Sequence, residues 1–132
     1  DVCIEEPGGN FTEYPIASFN YSPVFFWKLF LKGRLNPQHH KPVGDGYPMP
    51  SPGMRKQMLT KGMLLSASSD GYFVTKLESI LKQQQTKGFS EMVVLSHPKA
   101  NTVFALRQLE AFILNNKNRH RFLTFSDLLK KA

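Results

Sequence analysis

The segment Glu91-Met-Val-Val-Leu-Ser-His97-Pro-Lys99 constrains the fold more than any other part of the chain. An apolar run of strand length stops at a histidine, and a long amphipathic pattern follows it. A buried strand that hands a titratable side chain to its C-terminal end, just before a helix, is where α/β folds hold their chemistry. His97 is therefore the first candidate for a functional side chain.

The same alternation extends to both sides. Gly62-Met-Leu-Leu-Ser-Ala67 reads as a strand, and Asp70 as the cap of a helix carrying Phe73, Val74, Leu77, Ile80 and Leu81 at steps of three and four, closed by Gly88. Met92 to Leu95 is the next strand, and Val103, Leu106, Leu109, Ala111, Phe112 and Ile113 mark a helix reaching to Asn116. Phe122-Leu123 reads as a last short strand, and Thr124 with Asp127 resembles a capping box for a terminal helix through Leu129. Strand and helix thus alternate three times from Gly62 onward. That order predicts an α/β fold of parallel β-α-β-α units joined by right-handed crossovers. No fixed-period repeat is present, and the first half is too irregular for a standard doubly wound sheet, so the expected form is a partial, distorted (β/α) barrel.

That first half begins with a short apolar stretch, Val2 to Ile4. Phe11-Thr-Glu-Tyr-Pro-Ile-Ala-Ser18 then reads as extended, with Pro15 restricting it to an edge or a strand end. Ser22-Pro23 gives an N-cap with proline at the first helical position, and the helix Val24 to Leu31 is expected to end at Gly33. Phe25, Phe26, Trp27, Leu29, Phe30 and Leu31 cannot all face one core. A helix apolar on several sides calls for a missing partner or a second contact surface. Asn36 to Met54 holds five prolines, three glycines and the pair His39-His40, which predicts one long loop.

Composition bounds the rest. At 132 residues, 41% hydrophobic and 20% charged, residues 1–132 fit one ordinary domain with its own core, not a disordered tail. No apolar run reaches the roughly 18 residues that cross a bilayer, so no transmembrane segment is expected. The chain starts at Asp1 with neither initiator Met nor signal-like segment, as a trimmed or processed product would. Its one cysteine, Cys3, cannot form an internal disulfide, and this leaves the compartment open. The net charge of +7 favours anionic partners in general terms. Lys117, Arg119, His120 and Arg121 form the one dense basic group, read as a solvated turn because no glycine-rich, zinc-finger or aromatic RNA-binding motif accompanies it. No nucleic acid is expected as a ligand.

Leu95-Ser96-His97-Pro98, between the Asp70-Gly-Tyr-Phe helix and the Val103 to Ile113 helix, with Phe122-Leu-Thr-Phe-Ser-Asp-Leu-Leu129 beyond, resembles the C-terminal end of NodB-like polysaccharide deacetylases. The resemblance covers Gly62 to Lys131, with Glu13-Tyr-Pro15 as a fainter echo of a Glu-x-Pro segment in some members. It implies a distorted (β/α) barrel that removes N-acetyl groups from sugar polymers, with a divalent metal such as zinc held by an aspartate and two histidines. It makes His97 the general acid toward the leaving amine, and Leu95 of the same Leu-x-His motif a substrate contact. The family's Asp-Asp pair, His-x-x-x-His motif and Arg-x-Pro-Tyr motif are absent here. The resemblance thus implies the C-terminal part of a longer protein, inactive alone, since amide hydrolysis also needs an activated water and oxyanion stabilisation.

Each candidate also has a structural reading. His97 could cap the following helix or bond a backbone carbonyl at the strand end. His39 and His40, without nearby cysteines or paired carboxylates, read as solvated, and no metal is assigned to this chain. Ser96 beside His97 makes a poor nucleophile–base pair, because neighbours on a strand point to opposite faces. Asp70 reads as a helix cap, and Glu5-Glu6 as a lone acidic pair near a terminus. Trp27 reads as core or interface. Tyr47, in the Pro/Gly-rich loop, is the better sugar contact. Two other function classes stand beside the deacetylase reading: a non-catalytic carbohydrate-binding or protein-assembly domain using the Val24 to Leu31 helix, and a basic nucleic-acid binder.

Overall fold

The computed structural model describes residues 4–5, 12–46, 50–124 and 126–127. The expectations at Val2, Phe11 and Tyr47, and for the terminal helix beyond Asp127, lie outside them.

The strands form two short antiparallel pairs. β1 (Ile4–Glu5) pairs with β2 (Thr12–Glu13), and β3 (Ser18–Tyr21) with β4 (Met63–Ser66), Ser18 opposite Ser66 and Tyr21 opposite Met63. The two-residue period of β3 and β4 sends Phe19, Tyr21, Met63 and Leu65 to the core and leaves Leu64 exposed. The segment expected as a strand at Met92 to Leu95 makes single parallel bridges, Val93 with Ile16 and Leu95 with Ser68. Ala17 N–H donates to Val93 O at 3.2 Å and Leu95 N–H to Ala67 O at 2.9 Å. Just beyond β3 and β4, where Ala67 N–H still donates to Ala17 O at 2.6 Å, this segment makes one parallel bridge with each flanking stretch. The fold is mixed α and β, and no barrel closes among the described residues. Phe122 and Leu123 are irregular rather than a strand; Phe122 sets its ring edge-on against Phe112, 5.8 Å between centroids, and packing holds this stretch instead of a ladder.

The helices follow their caps. In α1 (Pro23–Leu35) the Ser22 hydroxyl accepts from Phe25 N–H, and the helix continues through Gly33, expected to end it, because Gly33 keeps a negative φ and the closing bond is Asn36 N–H to Lys32 O, 2.9 Å. α2 (Pro52–Thr60) was not expected: the predicted loop stops at Ser51, whose hydroxyl accepts from Met54 N–H at 3.3 Å. A 3₁₀ turn, Gly71–Lys76, leads into α3 (Leu77–Thr86), and Gly88 closes it at φ 80° as expected. α4 (Val103–Asn116) has the expected bounds and is capped by the Thr102 hydroxyl, which accepts from Ala105 N–H at 3.0 Å.

Tyr21, Phe25 and Phe26 meet Val74, Leu77 and Ile80 in the core. Tyr21 is fully buried, its ring edge-on to Phe19 and Phe73, and its hydroxyl has no hydrogen-bond partner; burial pushes it up to about 12. The Pro/Gly-rich loop is strapped to the rest of the fold. Val43 N–H donates to Asn101 O at 2.8 Å, and the amides of Gly44 and Gly46 donate to Lys99 O at 3.1 and 3.2 Å. A Cβ on Gly44 would stand 2.8 Å from Lys99 Cα, so only glycine lets the strap lie this close. His40, expected to be solvated, is half-buried against Phe104, 4.9 Å between ring centroids, and turns toward Tyr72. Burial, then the nearby Lys32 charge, then His39 hold it below the ordinary histidine value. The basic group at Lys117 to Arg121 is a turn on the surface, as expected.

Candidate functional site

The chain leaves β4 through Ala67, Ser68, Ser69 and Asp70, all buried. Asp70 keeps extended geometry and opens the 3₁₀ turn, with Phe73 N–H donating to its carbonyl at 3.0 Å, yet its carboxylate makes no capping bond. The side chain turns instead toward a residue 27 positions away. His97 N–H donates to Asp70 Oδ1 at 2.7 Å, and His97 Nδ1 lies 2.7 Å from Asp70 Oδ2. The Ser68 hydroxyl donates to the same Oδ2 at 2.7 Å and accepts from Asp70 N–H at 3.0 Å. The bridge between Ser68 and Leu95 sets the two segments at the separation that makes this contact possible.

Asp70 is fully buried, whereas the His97 side chain is 49% exposed. An ionised carboxylate only accepts hydrogen bonds, so the 2.7 Å contact with Asp70 puts a proton of His97 on Nδ1. A buried carboxylate behind a half-exposed imidazole fixes the ring's tautomer and orientation, the arrangement that general acids and bases share. The 3₁₀ turn Pro98–Ala100 that follows His97 has no side-chain cap.

The other sequence candidates separate around this pair. Leu95 is half-buried two residues upstream, and its carbonyl accepts from Ser69 N–H at 2.9 Å. Ser96 turns away from His97 toward Asn101, whose Nδ2 lies 3.3 Å from its hydroxyl. Tyr47 lies outside the described residues, although its loop neighbours, Val43 to Gly46, run along Lys99 to Asn101 beside His97. Asp70, read from the sequence as a helix cap, stands at the cap position but turns its carboxylate to His97 instead of making a capping bond. Its cap-like position before a helix concealed a partner brought in by tertiary structure. Among the described residues no three His, Cys, Asp or Glu side chains gather as a metal-binding set. The described residues thus bring together no set of one aspartate and two histidines, and Asp70 is held by His97 and Ser68.

A cavity of about 890 Å³ opens elsewhere, walled by Leu81, Phe89, Met92, Leu109, Phe112 and Phe122, with Gln85 and His120 hydrogen-bonded at 3.1 Å beside it. It does not reach His97. No helix among the described residues is long and apolar enough to cross a membrane. Comparison with protein-family models, with curated proteins and with solved structures found no match.

Proposed function

We propose that this chain is the C-terminal part of a polysaccharide deacetylase-like protein, in which His97 is the general acid for N-acetyl hydrolysis and Asp70 its positioning residue. The observation that carries the reading is the buried carboxylate 2.7 Å from Nδ1 of a half-exposed histidine at the end of an apolar segment. Water adds to the acetyl carbonyl and gives up a proton to a base outside this chain. His97, doubly protonated for this step, passes its Nε2 proton to the amine nitrogen as the C–N bond breaks and acetate leaves, while Nδ1–H stays on Asp70. The activated water, the oxyanion donors and a divalent metal such as zinc come from residues outside this chain, so the isolated chain is inactive. The parallel bridges at Val93 and Leu95 support a partial (β/α) barrel that further strands complete. Leu95 and Tyr47 are the proposed sugar contacts.

The test is acetate release from N-acetylated chitin oligomers by the natural full-length product. His97→Gln is expected to reduce kcat by roughly 10²-fold or more while the fold survives, and Asp70→Asn by less. Equal activity in all three would sink the reading.

A second reading is favoured by the row of exposed apolar side chains on α1: a protein-assembly domain in which the Val24 to Leu31 helix docks a partner polypeptide. It expects His97→Gln to be without effect on function and substitutions on that row to abolish it.

A further inference from the structure

α1 is apolar on two sides. Phe25 and Phe26 are buried, and Leu29 and Phe30 pack on the core, but Val24, Trp27, Leu31 and Leu35 recur at steps of three and four along the outer side and are 61%, 60%, 57% and 73% exposed. They form a continuous row about 16 Å long. Side chains more than half exposed stand on a crest; the walls of a peptide-binding groove would shield them.

The charges carried by the two helices beside this crest have one sign. α1 contributes Lys28, Lys32 and Arg34, α2 contributes Arg55 and Lys56, Lys61 follows, and neither helix contains an aspartate or glutamate. By helical spacing Lys28 and Lys32 border the crest on one side and Arg34 on the other. Trp27 is fixed where the two helices meet. Its indole N–H donates to Leu59 O at 3.2 Å, and its ring walls an open recess of about 500 Å³ edged by Arg55 and Lys56. The Arg55 guanidinium lies 4.9 Å from the Phe30 ring centroid, which keeps its charge at this surface. An aliphatic and indole crest bordered on both sides by lysine and arginine is the pattern of surfaces that lie in the headgroup region of a bilayer. The crest matches the acyl boundary and the borders match anionic headgroups.

We infer that α1 and α2 form a peripheral docking surface for an anionic membrane, with Trp27, Leu31 and Leu35 entering the interface and Lys28, Arg34, Arg55 and Lys56 meeting lipid phosphates and carboxylates. This surface is separate from the His97–Asp70 pair and is independent of the deacetylase reading. It engages one leaflet without crossing it.

Trp27 is the one tryptophan of the chain, so its fluorescence reports this surface alone. The protein is titrated with phosphatidylcholine vesicles containing about 30 mol% phosphatidylserine, and with phosphatidylcholine alone. The expected result is a blue shift and quenching by brominated acyl chains with the anionic vesicles, weakened as salt is raised, and no shift with the neutral ones. The doubly substituted Leu31→Asp, Leu35→Asp chain, and separately Lys28→Glu with Lys56→Glu, alter exposed positions and are expected to keep the native circular dichroism while losing roughly tenfold or more in vesicle affinity. The inference is overturned if Trp27 stays in water with anionic vesicles at low salt, or if binding persists unchanged in both variants. Poly-glutamate shifting Trp27 where vesicles do not would assign the surface to an acidic polypeptide and equally overturn the membrane.

Discussion

Asp70→Asn is the sharpest perturbation the structure offers. In the native chain Asp70 Oδ2 faces His97 Nδ1 at 2.7 Å and Oδ1 accepts His97 N–H at 2.7 Å. A hydrogen bond to a charged acceptor contributes about 1.5–3 kcal/mol, and the half-exposed ring places this one near the lower end. About 1.5 kcal/mol is roughly a tenfold preference, so the Nδ1–H tautomer of neutral His97 should exceed about 90%. Asparagine keeps the shape but has one acceptor oxygen where the carboxylate had two. If that oxygen stays with His97 N–H, the amide N–H₂ faces Nδ1 and the tautomer inverts to Nε2–H. The assay is two-dimensional ¹H–¹⁵N correlation of the imidazole nitrogens above pH 8, where neutral and protonated rings and the two tautomers differ in ¹⁵N shift. His97 in the native chain with an Nε2–H majority would refute the reasoning, as would an Asp70→Asn spectrum identical to the native one. Asp70→Ala, which strands Ser68 and the His97 amide, should also lower stability by about 2–4 kcal/mol in urea unfolding.

Tyr21→Phe removes a buried hydroxyl without a hydrogen-bond partner and is expected to stabilise the fold by about 1 kcal/mol, seen as a Tm higher by a few degrees. It also removes an alkaline liability. The native Tyr21 is held near 12, so the unfolded chain loses that proton first and stability falls as pH rises above about 10, a decline the variant should lack in part. His40 has the opposite sign: its folded value lies below the ordinary one, so its contribution is complete above about pH 6.5 and is lost as pH falls through the unfolded and then the folded value. His40→Phe should flatten that part of a stability-against-pH curve measured by denaturant midpoint. Gly62→Ala forces a side chain onto a residue at φ 78° whose new Cβ would meet Tyr21 O, and a destabilisation of about 2–3 kcal/mol is expected by thermal melting.

Much of the local structure could be read from the chain because its signals are local. The row Val74, Leu77, Ile80 and the glycine at Gly88 identified α3, and the apolar spacing from Val103 identified α4 with its bounds. α2 carries the same Ser-Pro start as α1, but with no acidic residue, no buried position and five prolines in the surrounding stretch, its periodicity was too weak to oppose a loop reading. Gly33 looked like a stop because glycine at a helix end is common, whereas here the core contacts of Phe25, Phe26 and Phe30 carry the helix past it. The Met92 to Leu95 run was correctly placed as the approach to His97, but its pairing depends on where Ile16 and Ser68 end up, which no local pattern encodes. For the same reason the histidine of the site was legible and its carboxylate was not. Asp70 has the sequence context of a helix start, and only the fold reveals which way its side chain turns.

The bridges that tie Val93 to Ile16 and Leu95 to Ser68 have a consequence for how the molecule comes together. The Ser68–Leu95 bridge that brings Asp70 and His97 together spans 27 positions, whereas the Ile16–Val93 bridge joins segments 77 positions apart, so closure of the dyad depends on the nearer contact. A cut in the Pro/Gly-rich loop would therefore part Ile16 from Val93 but leave Ser68, Leu95, Asp70 and His97 together on one piece.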